Sequence, residues 1–431
     1  MSAGWLEYLQ RARWYAGKDE GRLSGIEPLG WHTPPGVLPA VRSELATVER
    51  TDDTEVYHLL AGYLRPGNAE PEALVGRVEL PEFGEVDVVD AAASVTAMEA
   101  LAVALPSLLT PPPSHPSSPR RRGSLPEDNS SEIPAFAGRT ENSVPVRLLP
   151  AEQSNSAAVA GDTLIKIYRR LRPGINPEPE LLAALAGGPV PALRGVVRER
   201  DYDLLAAVEF FPNAVDGWEF ATAACAAGRP IDDELRDLGG ALRDVHTRLA
   251  EAFGTHCASG AALRERLLSD LDEATAAIPQ LQPHRDALAS VLNALPEGDI
   301  TTQRVHGDFH LGQVLLTGHG WRIIDFEGEP GAPIAERRAF DTPWRDVAGL
   351  LRSLDYARSA HPEPSGGAAT QWRERSRAAF LAGYGDEPGA FPVMFAHEVA
   401  RMVYEVGYEV RNRPDWVGIP LSAVENVATR H

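Results

Sequence analysis

The most informative part of this chain is Arg304-Val-His-Gly-Asp-Phe-His-Leu-Gly-Gln-Val-Leu-Leu316, followed by Trp321-Arg-Ile-Ile-Asp-Phe-Glu327. It places Asp308 in a polar loop between two histidines, and it places Asp325 at the end of a short apolar strand. Transfer of a phosphoryl group from a nucleotide to a hydroxyl needs one carboxylate that orients the hydroxyl and accepts its proton. It also needs a second carboxylate and an amide oxygen, here Asp325 and Gln313, that hold Mg²⁺ beside the phosphates.

A lysine inside an apolar strand is the second candidate for phosphate chemistry. Lys166 lies in Leu164-Ile-Lys-Ile-Tyr168, where a charged group is costly unless it meets an anion. A strand lysine that holds the α- and β-phosphates is a regular component of kinases, and the alternative is an edge-strand lysine that points to solvent. Glu180, at the start of the next predicted helix, is expected to pair with Lys166. Glu178 competes for this role, and a glutamate placed there only by the helix dipole is a further alternative.

Two segments that flank this strand complete the predicted nucleotide site. Glu152-Gln-Ser-Asn-Ser156 stands where a phosphate-cradling loop would lie, and its side chains can donate to phosphate although it has no glycine. An ordinary turn is the alternative. Val208-Glu-Phe-Phe-Pro-Asn213 leads into the helical part of the chain, either as a plain linker or as the segment that presents backbone groups to adenine. The predicted nucleotide contacts in these segments are Ser154, Asn155, Ser156, Glu209 and Phe211.

The residues around the two aspartates allow more than one interpretation. The spacing of His306, Asp308 and His310 resembles a zinc site, but no further histidine-rich element follows in the sequence. We therefore expect His306 to brace the loop, within reach of the substrate, and Asp308 to act as the base. Glu327 is expected to contact the metal or the substrate, and a solvated loop glutamate is the alternative.

The segment Tyr404-Glu-Val-Gly-Tyr-Glu-Val-Arg-Asn-Arg-Pro-Asp-Trp416 suits sugar recognition. On a helix, Tyr404, Tyr408 and Asn412 form one stripe, and Glu405 belongs to the neighbouring stripe. Aromatic rings stack on the apolar face of a sugar ring while amides and carboxylates bond its hydroxyls, so these four residues are predicted to contact the substrate. The alternative is a buried tyrosine stripe flanked by surface ion pairs.

Composition narrows the class of protein. The chain has 431 residues, 43% of them hydrophobic and 24% charged, which is ordinary for a soluble protein. A net charge of −20 argues against nucleic acid and anionic membranes as partners. Cys225 and Cys257 lack metal-ligand spacing, and neither a signal peptide nor a membrane-spanning run is apparent, so a cytoplasmic location is expected.

The order of predicted elements indicates a bilobal α+β protein. Strand patterns dominate up to Phe211 and helical patterns dominate after Pro212, with predicted helices at 218–227, 232–252 and 262–295. A helix is also predicted over 91–109. Residues 110–142 are rich in proline, serine and charge, and they are predicted to form a disordered insertion.

Several of these segments together resemble the aminoglycoside-phosphotransferase branch of the protein-kinase-like fold, and within that branch the bacterial maltokinases. The similar segments cover most of the chain outside the insertion: Arg13-Trp-Tyr-Ala-Gly-Lys18, Glu152-Gln-Ser-Asn155, Ile165 to Leu171, Pro173 to Pro177, Asp216-Gly-Trp218, Gln303 to Leu315, Ile324 to Pro330, Ala335 to Arg338, Arg345-Asp-Val-Ala-Gly349 and Tyr404 to Trp416.

The resemblance implies an N-terminal cap subdomain over 1–88, an intermediate subdomain over 89–213 that completes the small lobe, and a helical lobe over 214–431. It assigns Asp308 as the base, Gln313 and Asp325 as Mg²⁺ ligands, and Lys166 as the phosphate-binding lysine. Many relatives in the wider superfamily have asparagine where Gln313 stands, and the insertion is a further departure.

The activity implied by the resemblance is ATP-dependent phosphorylation of maltose at its anomeric hydroxyl. The product, maltose 1-phosphate, would feed glycogen and other α-glucans from trehalose, in functional connection with trehalose synthase and a maltosyltransferase. The protein would be a monomer or a weak homo-oligomer. A kinase for another sugar, such as glucosamine or an aminoglycoside, and a non-catalytic nucleotide sensor are the alternatives.

Overall fold

The computed structural model describes residues 2–15, 21–34, 36–50, 54–111, 144–150, 155–329, 332–385, 387 and 389–429. The chain divides into two compact units. The first comprises Met1–Ala183 and Ala192–Phe210, and the second comprises Ala184–Pro191 and Phe211–His431. The predicted cap subdomain and most of the predicted intermediate subdomain lie in the first unit, while 184–191 and 211–213 belong to the second. The boundary at residue 88 stays a prediction.

The first unit begins with an antiparallel sheet of long strands. Helix α1 (Ser2–Arg11) contacts this sheet, whose strands follow the order β1-β2-β3-β5-β4. The side of the sheet that carries Tyr57 packs against buried aromatic residues, including Trp5, Trp14 and Tyr15. The strand bounds are β1 Arg22–Trp31, β2 Ala40–Glu49, β3 Thr54–Leu64, β4 Leu74–Leu80 and β5 Gly84–Asp90.

A second antiparallel sheet in the same unit carries Lys166. Helix α2 (Val95–Leu108) precedes it, and Ser94 caps this helix by accepting a hydrogen bond from Ala97 N. The strands follow the order β10-β11-β8-β7-β6, so β8 is central. The short strand β9 leaves this sheet and pairs with β3 of the first one. The bounds are β6 Val146–Leu148, β7 Asn155–Ala160, β8 Thr163–Tyr168, β9 Arg170–Leu171, α3 Pro177–Ala184, β10 Leu193–Glu199 and β11 Tyr202–Glu209.

The second unit is mainly helical, as predicted. Glycines allow α5 and α10 to pack closely, because a Cβ added at Gly239 would lie 2.2 Å from Phe380 O. The bounds are β12 Val215–Asp216, α4 Gly217–Ala226, α5 Asp232–Phe253, β13 His256–Ser259, α6 Gly260–Ala277, α7 Arg285–Asn293, β14 Asp299–Thr302, β15 Val314–Thr317, β16 Gly320–Ile323, α8 Ile334–Arg337, α9 Trp344–Ala357, α10 Gly367–Tyr384, α11 Ala390–Asn412 and α12 Gly418–Ala428.

Two local expectations differ from the structure. The predicted helix over 262–295 is interrupted by a 3₁₀ segment, Pro279–His284, because Pro279 and Pro283 cannot continue an α-helix. The predicted insertion begins at residue 110, yet Thr110 still pairs with Val196 through two backbone hydrogen bonds. The rest of the insertion from residue 112 lies outside the described residues.

None of the helices in the described ranges combines the length and the apolar character that a bilayer-spanning segment needs.

Candidate active site

A buried aspartate holds the backbone of the loop that carries Asp308. Asp346, in the first turn of α9, is 1% exposed. Its Oδ2 accepts the backbone N–H of His306 at 2.8 Å, and its Oδ1 accepts the N–H of Gly307 at 2.9 Å. His246 of α5 lies 2.9 Å from Oδ2 through its Nε2. One carboxylate therefore fixes the two residues immediately before Asp308.

The pKa of Asp346 reflects this arrangement. Burial by itself would raise it, but the hydrogen bond and charge of His246, the charge of His306 and the N–H of Gly307 hold it below its usual range. Asp346 is thus an anion by virtue of its partners. No local pattern marks Asp346 as the residue that holds this loop, because its partners lie about forty positions away or more.

His306 braces the loop, and its burial argues against the additional expectation that it contacts the substrate. The side chain is 1% exposed, and its Nε2 lies 2.8 Å from the carbonyl oxygen of Ile324. Its ring packs against Phe309 and Phe326. A histidine enclosed in this way connects the loop to the chain just before Asp325 and is not accessible to a sugar.

The carboxylate of Asp308 is partly exposed and has an arginine partner. Its Oδ1 accepts a hydrogen bond from Arg401 of α11 at 3.1 Å, and Nε2 of His310 lies 4.0 Å from Oδ2. Burial lowers the pKa of His310, against the opposing effect of the Asp308 charge. Arg401 was not singled out from the sequence, since it lies 93 positions after Asp308.

Gln313 and Asp325 lie together in the second unit, in keeping with the prediction that they share a cation. Nε2 of Gln313 donates to Oδ2 of Asp325 at 3.1 Å, and Ile324 N donates to Gln313 O at 3.0 Å. Asp325 has a φ of 63°, a left-handed conformation that is uncommon for a residue other than glycine. Such backbone strain is frequent at functional sites. Glu327, two residues further along, is partly buried.

A cavity of about 370 Å³ in the second unit adjoins Asp308. Arginines lie against several carboxylates of its lining: Arg345 donates to Asp341 at 3.0 Å and to Glu329 at 3.2 Å, and Arg401 donates to Asp308. The wall also includes a glycine of the Asp308 loop, a glycine of α9, and a histidine and a tyrosine of α11: Gly307, Gly349, His397 and Tyr404. The wall thus combines charge-compensated donors and acceptors with aromatic side chains, among them Tyr404.

The tyrosines of α11 lie on the surface of the protein, which contradicts the alternative that they form a buried stripe. Tyr404 and Tyr408 are 43% and 37% exposed, and their rings stack with centroids 6.4 Å apart. Asn412 is exposed and donates through Nδ2 to Tyr408 O. Tyr404 lines the cavity beside Asp308, while Tyr408 and Asn412 continue the stripe beyond the residues that form its wall.

Glu405 is turned toward the protein interior, which argues against its predicted contact with the substrate. Its Oε2 accepts from Nη2 of Arg352 at 2.7 Å, and Arg352 is 1% exposed. Burial raises the pKa of Glu405, and the Arg352 guanidinium offsets this only in part. Glu405 also lies 3.9 Å from Nε of Arg401, the arginine that holds Asp308. Its effect on the site therefore passes through Arg401.

Lys166 lies on a central strand and has a glutamate partner, which excludes the edge-strand alternative. It is 9% exposed, and its Nζ donates to both carboxylate oxygens of Glu178, at 3.0 and 2.9 Å. Glu178 therefore forms the ion pair that the sequence analysis assigned first to Glu180. Glu180, one half-turn further along α3, is partly buried. A proline at each of positions 177 and 179 made the helix register uncertain from sequence alone.

The other predicted nucleotide contacts have mixed outcomes. Ser154 lies outside the described residues, whereas Asn155 and Ser156 are buried in β7 and do not form a loop. The hydroxyl of Ser156 accepts a hydrogen bond from Arg169. Glu209 N donates to Ala192 O at 2.9 Å, so this N–H is already occupied. The ring of Phe211 lies under the guanidinium of Arg322.

Comparison with known proteins identifies the family. A family model described as the phosphotransferase enzyme family matches residues 146–391, and one described as the maltokinase N-terminal cap domain matches residues 8–93. A glucosamine kinase from Streptacidiphilus jiangxiensis is 29% identical over 348 residues, 70% of this chain and 77% of that protein. One from Mycolicibacterium smegmatis is 27% identical over 318 residues, 64% of this chain and 78% of that protein.

The solved structures show the fold. A glucosamine kinase in complex with glucosamine, ADP and inorganic phosphate has a TM-score of 0.64 at 21% identity, over 98% of this chain and 99% of that one. The predicted fold class, a bilobal protein-kinase-like fold with an N-terminal cap, is confirmed. Because the phosphotransferase match spans more than half of the 431 residues, this chain belongs to the phosphotransferase enzyme family.

Proposed function

We propose that this protein transfers the γ-phosphoryl group of ATP to the anomeric hydroxyl of maltose and so forms maltose 1-phosphate. The observation that carries the proposal is the cavity beside Asp308, whose wall offers arginine-paired carboxylates and the ring of Tyr404. Its volume of about 370 Å³ lies in the range of small-molecule sites. The match of residues 8–93 to the maltokinase cap gives the proposal independent support.

The charge arrangement of this cavity favours a neutral sugar. An ammonium group gains most from a carboxylate that has no other cation near it. Asp308, Glu329 and Asp341 each already have an arginine within 3.2 Å. Two further carboxylates of the wall, Asp270 and Glu336, are exposed and therefore screened by solvent.

In the proposed reaction the anomeric oxygen of the sugar forms a bond to the γ-phosphorus while the bond from that phosphorus to the ADP oxygen breaks. The proton of the hydroxyl passes to the carboxylate of Asp308. Arg401 holds Oδ1 of this carboxylate, so Oδ2 is the oxygen that we assign to the hydroxyl. Lys166, fixed by Glu178, would bind the phosphates of the nucleotide. Most of the rate enhancement would come from placement and charge stabilisation.

The residues present fit Mg²⁺. Gln313 directs its amide nitrogen toward Asp325, so its amide oxygen faces away from that carboxylate, and Mg²⁺ prefers oxygen ligands of this kind. Gln313 and Asp325 would hold the ion, with Glu327 as a further oxygen donor nearby in sequence. When bound, Mg²⁺ neutralises charge on the phosphates of the nucleotide.

A glucosamine kinase is the second candidate, because two relatives at 29% and 27% identity bear that description. An ADP-release assay with maltose, glucosamine, glucose and an aminoglycoside distinguishes the two. We expect kcat/KM for maltose to exceed the other values at least about tenfold, a difference of about 1.4 kcal/mol in transition-state binding. A preference for glucosamine would reject maltose as the substrate, and ³¹P NMR of the product tests whether phosphate is on the anomeric carbon.

Arg345→Gln offers a sharper test of the charge argument. The variant leaves Asp341 and Glu329 without the guanidinium that now lies 3.0 and 3.2 Å away, so an ammonium group could take its place. We expect the ratio of glucosamine to maltose activity to rise at least about fivefold. Arg411→Gln, at an exposed position of α11, is the matched control and should leave the ratio unchanged. An unchanged ratio in Arg345→Gln would contradict the charge argument.

A further inference from the structure

The carboxylate that fixes Lys166 has a second side chain bound to it. Lys166 and Tyr168 are two residues apart on β8 and therefore point to the same face of the sheet. The hydroxyl of Tyr168 donates to Oε2 of Glu178 at 2.9 Å, the same oxygen that accepts from Lys166 Nζ at 2.9 Å. Tyr168 is 3% exposed. The tyrosine thus limits the movement of the glutamate, and through it the movement of the lysine.

The next residue, Arg169, binds the N-terminal segment of the chain. It is 1% exposed, and its Nη2 donates to both oxygens of Asp90 at 2.8 Å. Its Nε donates to Ser156 at 2.9 Å, and its guanidinium lies 4.4 Å from the ring centroid of Trp14. The hydroxyl of Tyr8 donates to the same Asp90 at 2.9 Å. Tyr8, Trp14 and Asp90 all belong to the residues that match the maltokinase cap.

Strand β3 of this cap segment also holds the main chain of the two residues. His58 N donates to Arg169 O at 2.8 Å, and Nδ1 of His58 lies 3.1 Å from Tyr168 O. Immediately afterwards β9 pairs with β3, so the chain passes from the lysine sheet into the cap sheet within a few residues of Lys166. Buried, multiply bonded side chains of this kind keep a single geometry.

We propose that Tyr168 and Arg169 are positioning residues through which the cap sets the affinity for the nucleoside triphosphate. The cap holds Arg169 and the backbone of Tyr168, Tyr168 holds Glu178, and Glu178 holds the ammonium group of Lys166 in the place where it meets phosphate. This inference rests on one part of the proposed function, the binding of nucleotide phosphates by Lys166, and is independent of the sugar.

Tyr168→Phe tests the inference, because it removes one hydroxyl and leaves the ring in place. We expect the Kd and the KM for ATP to rise about threefold to tenfold, which is less than the full effect of one hydrogen bond to a charged group, because the loss reaches the nucleotide only through Glu178 and Lys166. The KM for the sugar and kcat at saturating ATP should stay within about twofold. Tyr8→Phe removes the hydrogen bond from the Tyr8 hydroxyl to Asp90. This variant should also raise the Kd for ATP, by about twofold to threefold.

Tyr15→Phe is the matched control. Tyr15 is 2% exposed in the same aromatic core, yet its hydroxyl has no hydrogen-bond partner among the described residues. We expect this variant to bind ATP like the wild type. ATP binding is measured by titration calorimetry on the full chain without sugar, and urea unfolding of each variant reports on stability, which a merely structural role would lower without changing Kd.

The outcomes separate this inference from the proposed function. Unchanged ATP affinity in Tyr168→Phe, or an equal loss in Tyr15→Phe, would overturn the positioning role while ATP-dependent activity stands. A wild-type protein that binds no ATP would overturn both. A protein that binds ATP but phosphorylates another sugar would change the proposed substrate and leave the positioning role intact.

Discussion

Asp346→Asn tests how the catalytic loop is held. The carboxylate accepts three hydrogen bonds, from His306 N, Gly307 N and His246, at 2.8 to 2.9 Å. An asparagine offers one oxygen, so whichever way the amide turns, at least one backbone N–H faces an NH₂ group. Leaving a buried donor unsatisfied costs about 1–3 kcal/mol, and breaking a buried charge pair costs about 3–5 kcal/mol. We expect the free energy of unfolding to fall by about 3 kcal/mol.

Part of this energy keeps the loop in its catalytic geometry. If half of it, about 1.5 kcal/mol, is lost from the transition state, kcat falls roughly tenfold. Urea unfolding followed by circular dichroism measures the first quantity, and steady-state ADP release measures the second. Asp237→Asn, at an exposed position of α5, should change the free energy of unfolding by less than about 0.5 kcal/mol. An Asp346→Asn variant as stable and as active as this control would refute the reasoning.

Three further predictions concern the base, its arginine and two buried histidines. Asp308→Asn should lower kcat by about 10²–10⁴ with little change in unfolding, and near-normal turnover would remove it from the base role. Arg401→Lys loses the planar donor to Asp308 and should lower kcat about tenfold with an unchanged KM for ATP, whereas Arg411→Lys should behave as wild type. Burial lowers the pKa of His32 to about 4 and that of His58 to about 3, so both are neutral in the folded protein. The unfolded chain binds protons at these histidines below about pH 6.5, whereas the folded chain does not. The free energy of unfolding therefore keeps its full value above that pH and falls as the pH drops, by about 2 kcal/mol per histidine at pH 5. Equal free energies of unfolding at pH 7.5 and pH 5 would contradict this.

The sequence predicted the site best where its members are close in the chain. Asp308, Gln313 and Asp325 belong to one loop and the strand pair β15–β16, so local geometry alone brings Gln313 within hydrogen-bond distance of Asp325. Lys166 could also be identified as a candidate from the sequence, because burying a charged side chain within an apolar strand is costly unless the charge is paired.

The errors have a common physical cause, which is burial by distant elements. Neighbouring residues on a helix point about 100° apart, so the pattern of α11 predicts two stripes but not which one faces the core. Arg352 of α9 decides this by binding Glu405, and Tyr404 is left at the surface. The rings of Phe309 and Phe326 likewise pack against His306, and the sequence does not show that they do so.

Local periodicity and motifs that are contiguous in the chain were enough to predict the fold class and the family, and they also predict which residues would take part in phosphoryl transfer. The tertiary structure alone decided that Glu178 pairs with Lys166, that Arg401 pairs with Asp308, and that Asp346 holds the loop. Two of these three pairings join residues forty or more positions apart. Such contacts form only when separate elements pack together, and no local pattern in the chain records them.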